Sequence, residues 1–398
     1  MRILFVSNLF PNVREPNRGR FNLNQLKALK EFGLDIVVVS PVSKVPFFEF
    51  PQRPTVDIPV EEIIETITVF YPRSYYVPKW TGTINAALME KAVCPFVARL
   101  KPDLIWGSFA FPDGVAAVAL ARKFKLPSVV SLLGSDVNVY FEMPARKKVI
   151  LNSLQCCDLI LSKSHAIKIK ILDGGIPESK IKLDYNGVDQ KLFCPRDRNQ
   201  ACLELGIDPN VERILFVGNL VSIKNVPLLL RATALMRKLR PRIEIVIIGE
   251  GTSRPELEGE VRTLALEKCV HFKGLLEPKL ISLWMNSSNM LCLPSLNEGV
   301  PNVILEALAS GIPVVASKVG GVEEIHPGEQ AGGLFASQDV DGCRKVLEEC
   351  LSRKFDSEEL AKMVEGYTWS ANAKKVHEEI IQVTTKKTSI QKAQELSQ

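Results

Sequence analysis

Short apolar runs, each followed by a stretch of helical pattern, recur along the whole chain and constrain its fold more than any other feature. In the first half, residues 3–6, 36–39, 104–106, 128–132 and 159–162 read as strands, with helices over 20–32 and 113–124 between them. The runs are continuous rather than alternating, so both faces of each strand are covered, as in parallel α/β architecture. The pattern restarts in the second half at 213–218, 243–249, 270–274, 290–294 and 312–316. A chain of 398 residues, 46% of them apolar, is long enough for two separate cores. The join falls at 193–208, which carries Pro195, several charges and no sustained apolar run. Residues 41–59, rich in proline and phenylalanine, read as an irregular surface segment. The tail reads as helical over 356–383, and 386–398 as a frayed polar end.

Composition excludes several classes. No run approaches the roughly 18 apolar residues of a membrane span. The opening Met1-Arg2-Ile3-Leu4-Phe5-Val6-Ser7 is too short for a signal-peptide core and reads as a first buried strand. The nine cysteines are scattered without a Cys-x-x-Cys pair, which points to free thiols in a reducing, cytoplasmic setting. His165, His271, His326 and His377 lie too far apart in sequence for a metal pattern, and no metal is expected. The net charge of +5 resides in the first part, where residues 1–190 hold 24 Lys and Arg against 18 Asp and Glu. That surplus fits solubility, or peripheral contact with an anionic membrane surface or an anionic acceptor. Neither a Gly-x-Gly-x-x-Gly fingerprint nor a Walker lysine is present, which disfavours a nicotinamide dehydrogenase, and no nucleic-acid partner is expected. Asp339-Val340-Asp341 has the form of a metal-binding triplet but falls in a late connection.

The chemistry concentrates in Ser295-Leu296-Asn297-Glu298-Gly299-Val300-Pro301-Asn302-Val303-Ile304-Leu305-Glu306, which precedes Gly311 and Pro313. Pro301 suits a first helical turn, where its missing N–H is not needed, and Gly311 with Pro313 stops the helix. The freed amides of Gly299, Val300, Asn302 and Val303 favour an anion such as phosphate at the helix start. Glu306 lies five residues past Pro301, ~7.5 Å along the axis, about the distance from a diphosphate to its ribose. A carboxylate there can accept hydrogen bonds from both ribose hydroxyls. Upstream, Gly218-Asn219-Leu220-Val221-Ser222-Ile223-Lys224 follows a strand. Its glycine allows close approach of backbone to a ligand, and Lys224 supplies a mobile positive charge.

This Glu-x7-Glu segment, in its Glu-Gly-x-Pro setting, closely resembles the donor-binding motif of the retaining glycosyltransferases of family 4. The order of marks along residues 1 to about 385 fits the same family. The resemblance implies the GT-B fold: two Rossmann-like parallel-sheet domains facing across a cleft, with a C-terminal helix crossing back to the N-terminal domain. It implies an acceptor domain over 1–192, a nucleotide-sugar donor domain over 193–365, and a crossover helix with tail over 366–398. It places Glu298 on the donor sugar, Glu306 on the ribose and Lys224 on the departing diphosphate, with Glu298 and Lys224 as the catalytic pair. Asn219 stands where many members have arginine. Gly19 implies a first helix starting close to the donor, and Gly274-Leu275-Leu276 a backbone contact to the base. Asn186-Gly187-Val188-Asp189 matches a mark at the end of the first domain, and Trp369 an aromatic before the last helix. Ser108 and Asp136 are acceptor-side candidates, Ser108 where members often have histidine. For Asp136 or its neighbour Ser135 a helix N-cap is an equal reading.

The implied activity is transfer of a sugar, with retention and without metal or cofactor, from a nucleotide-diphosphate sugar to a saccharide or lipid-linked saccharide. The setting would be cell-surface polysaccharide or glycoconjugate synthesis. Two alternatives stay open: a catalytically weak sugar-nucleotide-binding partner in a polysaccharide assembly complex, and another GT-B enzyme such as a sugar-nucleotide epimerase.

Overall fold

The computed structural model describes residues 1–44, 58–77 and 84–396. Most of the 41–59 stretch lies outside them. The chain forms two compact units, one of Met1–Asn186 with Trp369–Gln398, the other of Gly187–Thr368. The sequence puts the join a few residues later, at 193–208. The fold divides instead inside the Asn-Gly-Val-Asp turn.

In the first unit the strands are β1 (Arg2–Val6), β2 (Asp35–Val39), β3 (Val42–Lys44), β4 (Glu61–Ile64), β5 (Ile67–Phe70), β6 (Arg73–Tyr75), β7 (Leu104–Ser108), β8 (Ser128–Leu132), β9 (Leu159–Ser162) and β10 (Ile181–Leu183). Eight of them make one sheet in the order β10-β9-β8-β7-β1-β2-β5-β4, while β3 and β6 pair separately. The large sheet is parallel except for the β4–β5 edge. All five strands expected in this half are present. The short β3, β4, β6 and β10 carry too few apolar residues to announce themselves; the edge strand β4, for example, is exposed at Glu61 and Ile63. β5 is apolar and buried at Ile67, Val69 and Phe70, but its run is only four residues long.

In the second unit β11 (Glu212–Val217), β12 (Ile243–Ile248), β13 (Val270–Gly274), β14 (Met290–Leu293), β15 (Val314–Ser317) and β16 (Gly332–Phe335) form one parallel sheet in the order β13-β12-β11-β14-β15-β16. That is the doubly wound order, reversing between β11 and β14. Apart from the edge strand β13, the strands are buried on both faces, with Ile214, Phe216, Ile245, Leu291 and Val315 fully enclosed. β16 begins Gly332-Gly333 and went unread for that reason.

The tail departs from expectation twice. It is not one helix but two, Ser357–Lys362 and Trp369–Leu396. The break is held by Val188, which donates to Tyr367 O at 2.8 Å and bridges Thr368. The last helix also runs past 386, where fraying was expected, and within that stretch Lys387 Nζ reaches Asp158 Oδ2 at 2.7 Å. Ala373, Val376 and Ile380 of this helix are buried in the first unit's core with Leu26, Leu29 and Trp106, and Trp369 packs against that core. Each buried Val or Ile stabilises the docking by ~1.5–3 kcal/mol. A polar network pins the same helix. Asp184 accepts from Lys163 Nζ at 2.6 Å, from Gln25 Nε2 at 3.0 Å and from Asn372 Nδ2 at 2.5 Å, all buried.

Candidate functional site

Where a parallel sheet reverses its order, the loops leaving two neighbouring strands diverge and open a crevice at their carboxyl ends. In the second unit those loops follow β11 and β14, and they carry the residues singled out from the sequence. Leu296 N donates to Ile223 O at 2.8 Å, tying one loop to the other. Across that tie Lys224 Nζ meets Glu298 Oε1 at 2.5 Å, the two side chains being 20% and 10% exposed. The Ser295 hydroxyl donates to the same oxygen at 2.6 Å. Glu298 Oε2 has no partner among the described residues. One oxygen therefore orients the carboxylate, and the other remains an acceptor for a ligand hydroxyl.

A third loop buttresses this arrangement. Ser317 Oγ, at the end of β15, donates to Ser295 O at 2.5 Å. Gly321 N donates to Gly299 O at 2.8 Å. Gly320 has φ +52, and a Cβ on it would lie 1.9 Å from Glu298 O. Only glycine permits that approach. The sequence alone does not single out Gly320-Gly321, nor a role for Ser295 or Ser317. The Gly-Gly pair after an apolar run was the available signal.

The helix after the Glu298 loop spans Asn302–Ala309, with Pro301 at its N-cap rather than inside its first turn. Its first N–H groups lack intrahelical partners and open beside Gly299 and Val300. Val300 and Pro301 are buried, whereas Gly299, Asn302 and Val303 are half-buried. Glu306, one turn further on, is half-buried, and its carboxylate has no hydrogen-bond or ion-pair partner among the described residues. Desolvation raises its carboxyl to about 7. A carboxylate without donors in such a place is an acceptor awaiting them. In the β11 loop Gly218 N is fixed to Ile248 O at 3.0 Å, and Asn219 is exposed. Leu275, after β13, is 64% exposed.

The first unit places its candidates differently. Ser108 is fully buried and donates to Asn22 Oδ1 at 2.9 Å. Asp136 is fully buried too, and accepts from the amides of Ala110 (2.8 Å), Gly134 (2.7 Å) and Leu133 (3.0 Å). Neither side chain is presented to an acceptor in this structure. Asp136 is not an N-cap either, because its donors precede it in the chain; it staples two strand-end loops together. Buried polar groups need partners, and here backbone supplies them. The structure adds Asp113, fully buried beside the first loop. Its Oδ1 accepts from Asn8 N at 2.5 Å, its Oδ2 has no partner, and burial raises the carboxyl to about 7. Gly19 has φ +60 and abuts Leu9 O, where a Cβ would lie 2.0 Å away. It closes its own loop. The Asp339-Val340-Asp341 triplet is a helix start: Asp339 caps the amide of Gly342 at 2.8 Å, and Asp341 faces Arg344 at 3.5 Å. No helix among the described residues is long and apolar enough to cross a membrane.

Comparison with known proteins agrees with this geometry. The family described as "Glycosyltransferase Family 4" matches residues 19–192, and "Glycosyl transferases group 1" matches 211–353. The putative teichuronic acid biosynthesis glycosyltransferase TuaC of Bacillus subtilis (strain 168) is 28% identical over 347 residues, 82% of this chain and 83% of that protein. Sulfoquinovosyl transferase SQD2 of Arabidopsis thaliana is 28% identical over 380 residues, 91% of this chain and 69% of that protein. Among solved structures, sucrose-phosphate synthase of Thermosynechococcus elongatus superposes with a TM-score of 0.83 at 18% identity, covering 97% of this chain and 99% of that one. The two family matches fall one on each sheet, and these two curated relatives match 82% and 91% of the chain. The chain therefore belongs to the family 4, group 1 glycosyltransferases, GT-B enzymes that use nucleotide sugars.

Proposed function

We propose that the protein is a retaining, metal-independent glycosyltransferase. Its donor is a nucleotide-diphosphate hexose or related sugar, and its acceptor a hydroxyl on a saccharide or lipid-linked saccharide. The product serves cell-surface polysaccharide or glycoconjugate synthesis at the cytoplasmic side, with peripheral membrane contact through the basic first unit. The observation that carries this reading is the convergence of Lys224, Glu298 and the unpartnered Glu306 around one helix start at the sheet's reversal.

In this reading the diphosphate lies on the amides from Gly299 to Val303, and Lys224 moves from Glu298 to the phosphate as negative charge develops on the leaving group. Positive groups aimed at that charge lower the barrier to departure. Glu298 Oε2 accepts from a hydroxyl of the transferred sugar, and Glu306 accepts from the ribose. Gly218 and Asn219 border the phosphates. Retention without an enzymic nucleophile follows when the acceptor attacks from the leaving-group face, with a phosphate oxygen taking its proton. TuaC and the sulfoquinovosyl transferase support a glycoconjugate product by their names, and an Anabaena neighbour solved with UDP and UDP-glucose puts uridine first among the bases to test.

The test is calorimetric titration with UDP, GDP and ADP, on the protein and on Glu306→Ala. Micromolar binding of one nucleotide that collapses in the variant supports the site, and no binding of any of the three overturns it. Product anomers read by NMR, in reactions run with and without a chelator, decide retention and metal independence. A second reading, a weakly active sugar-nucleotide binder, is favoured by Asn219, which leaves Lys224 as the one cation of its loop. Turnover of donor with acceptor excludes it.

A further inference from the structure

A second polar cavity lies within the Gly187–Thr368 unit, at the amino ends of β14 and β15 and so at the opposite edge of the sheet from Glu298. Its volume is about 200 Å³, and Arg196, Arg198, Arg353, Asn289 and Ser357 are among its lining residues. No carboxylate lines it among the described residues. The nearest acids in sequence are turned away: Asp197 caps Gln200 N at 2.8 Å, and Asp356 caps Glu358 N at 2.9 Å.

The donors are only partly used. Arg198 gives its two terminal nitrogens to Pro209 O, Val211 O and Asn289 Oδ1, while its Nε is buried without a partner. Arg353 gives Nη1 to Glu329 O at 2.9 Å, and its guanidinium rests 4.8 Å from the Phe355 ring centre, leaving two nitrogens over. The Arg196 guanidinium, the Asn289 amide nitrogen and the Ser357 hydroxyl have no partner among the described residues.

A purely structural account would assign these arginines to helix ends. The helices Pro278–Ser287, Asn302–Ala309 and Val340–Ser352 all finish at this cavity. Each such end carries roughly half a negative charge. Three of them offset about half of three arginines, so a surplus of roughly one and a half positive charges remains. We propose that this cavity is a second anion site, taking a phosphate dianion as inorganic phosphate or as a small phosphate monoester. The forked guanidinium donors suit phosphate oxygens. The volume of about 200 Å³ is below the ~300 Å³ at which sites for drug-sized ligands begin, which favours a small anion over a whole nucleotide sugar.

The test uses the full-length protein at low ionic strength, saturated with the nucleotide that fills the donor site. Inorganic phosphate and glucose 6-phosphate are titrated in turn, followed by 31P NMR and calorimetry. Saturable binding that persists with nucleotide present, and weakens about tenfold or more in Arg196→Ala/Arg353→Ala, is expected. Both side chains are exposed, so the variant should keep its melting temperature and nucleotide affinity. If it does not, the single variants Arg196→Gln and Arg353→Gln replace it. Tighter binding of glucose 6-phosphate than of phosphate identifies a monoester ligand, and equal binding identifies phosphate itself. Absence of saturable binding by either probe, or binding unchanged in the variants, overturns the proposal and returns the arginines to the helix ends. A failed nucleotide titration on the unmodified protein counts against the donor site instead; the phosphate titrations are then run without nucleotide.

Discussion

Glu306 shows most directly how one residue's environment sets its chemistry. Burial raises its carboxyl to about 7 from an ordinary 4.5. Between those values the folded protein holds a proton that the unfolded chain does not, so this group lowers stability as pH rises from about 4.5 through 7. Glu306→Gln should therefore melt higher than the parent above pH 7, and the difference should shrink towards pH 5. Ribose hydroxyls donate to the ionised form. Nucleotide affinity should accordingly weaken as pH falls below about 7 and level off above it, with proton release on binding, and the pH dependence should vanish in Glu306→Gln. Titrations in buffers of differing ionisation enthalpy measure the released proton; affinity unchanged by the substitution would dismiss the ribose contact. Lys224 makes a different prediction, since its charge matters most when the diphosphate departs. Lys224→Met should lower kcat by ~10²–10³ with a smaller change in KM, as seen when one stabilising donor is removed elsewhere. Both residues were found from the sequence because each follows a strand and sits in a motif. Ser295 and Ser317 were not, since a serine gives no sign in sequence of which carbonyl or carboxylate its hydroxyl will meet.

Three loops following β11, β14 and β15 behave as a single support, held by backbone contacts that leave no room for a side chain. Gly320→Ala places a Cβ where Glu298 O now lies, so the Glu298 loop must shift. It should cost ~1–3 kcal/mol of stability, from strain at a positive φ together with the displaced contact. Nucleotide affinity should fall by about tenfold even though no donor or charge is removed. Melting curves and UDP titration read the two effects separately, and unchanged nucleotide affinity would show that the third loop is not a support. The long apolar strands were legible because a buried parallel strand needs a continuous apolar run. β3, β4, β6, β10 and β16 are short, edge-placed or glycine-led, so burial imposed no such pattern on them, and in β5 the buried apolar run is only four residues long. The helix break at residues 363–368 was equally silent, being fixed by pairing with Val188, far away in sequence.

For the whole molecule, the returning helix makes the first unit depend on residues from the far end of the chain. Lys163 and Asp184 form a pair only 3% and 0% exposed, with Gln25 and Asn372 completing it. Lys163→Met leaves a buried carboxylate without its cation and should cost ~3–5 kcal/mol. The loss should appear as early melting of the first unit, followed by hydrogen exchange across β9 and residues 369–383. Exchange unchanged there would mean that the network does not anchor the helix.

By itself the sequence determined two parallel α/β sheets, the strand-and-helix frame of the donor motif, and the positions of Lys224, Glu298 and Glu306. These follow from local periodicity, from glycine and proline punctuation, and from residue types whose chemistry does not depend on distant partners. Tertiary structure alone decided that Lys224 and Ser295 donate to one oxygen of Glu298, and that Ser108 and Asp136 are enclosed rather than presented. It alone brought Gly320 beneath Glu298, and Arg196, Arg198 and Arg353 around one cavity. Each of these is a meeting of residues far apart in the chain or a matter of burial, and neither leaves a periodic trace along a sequence.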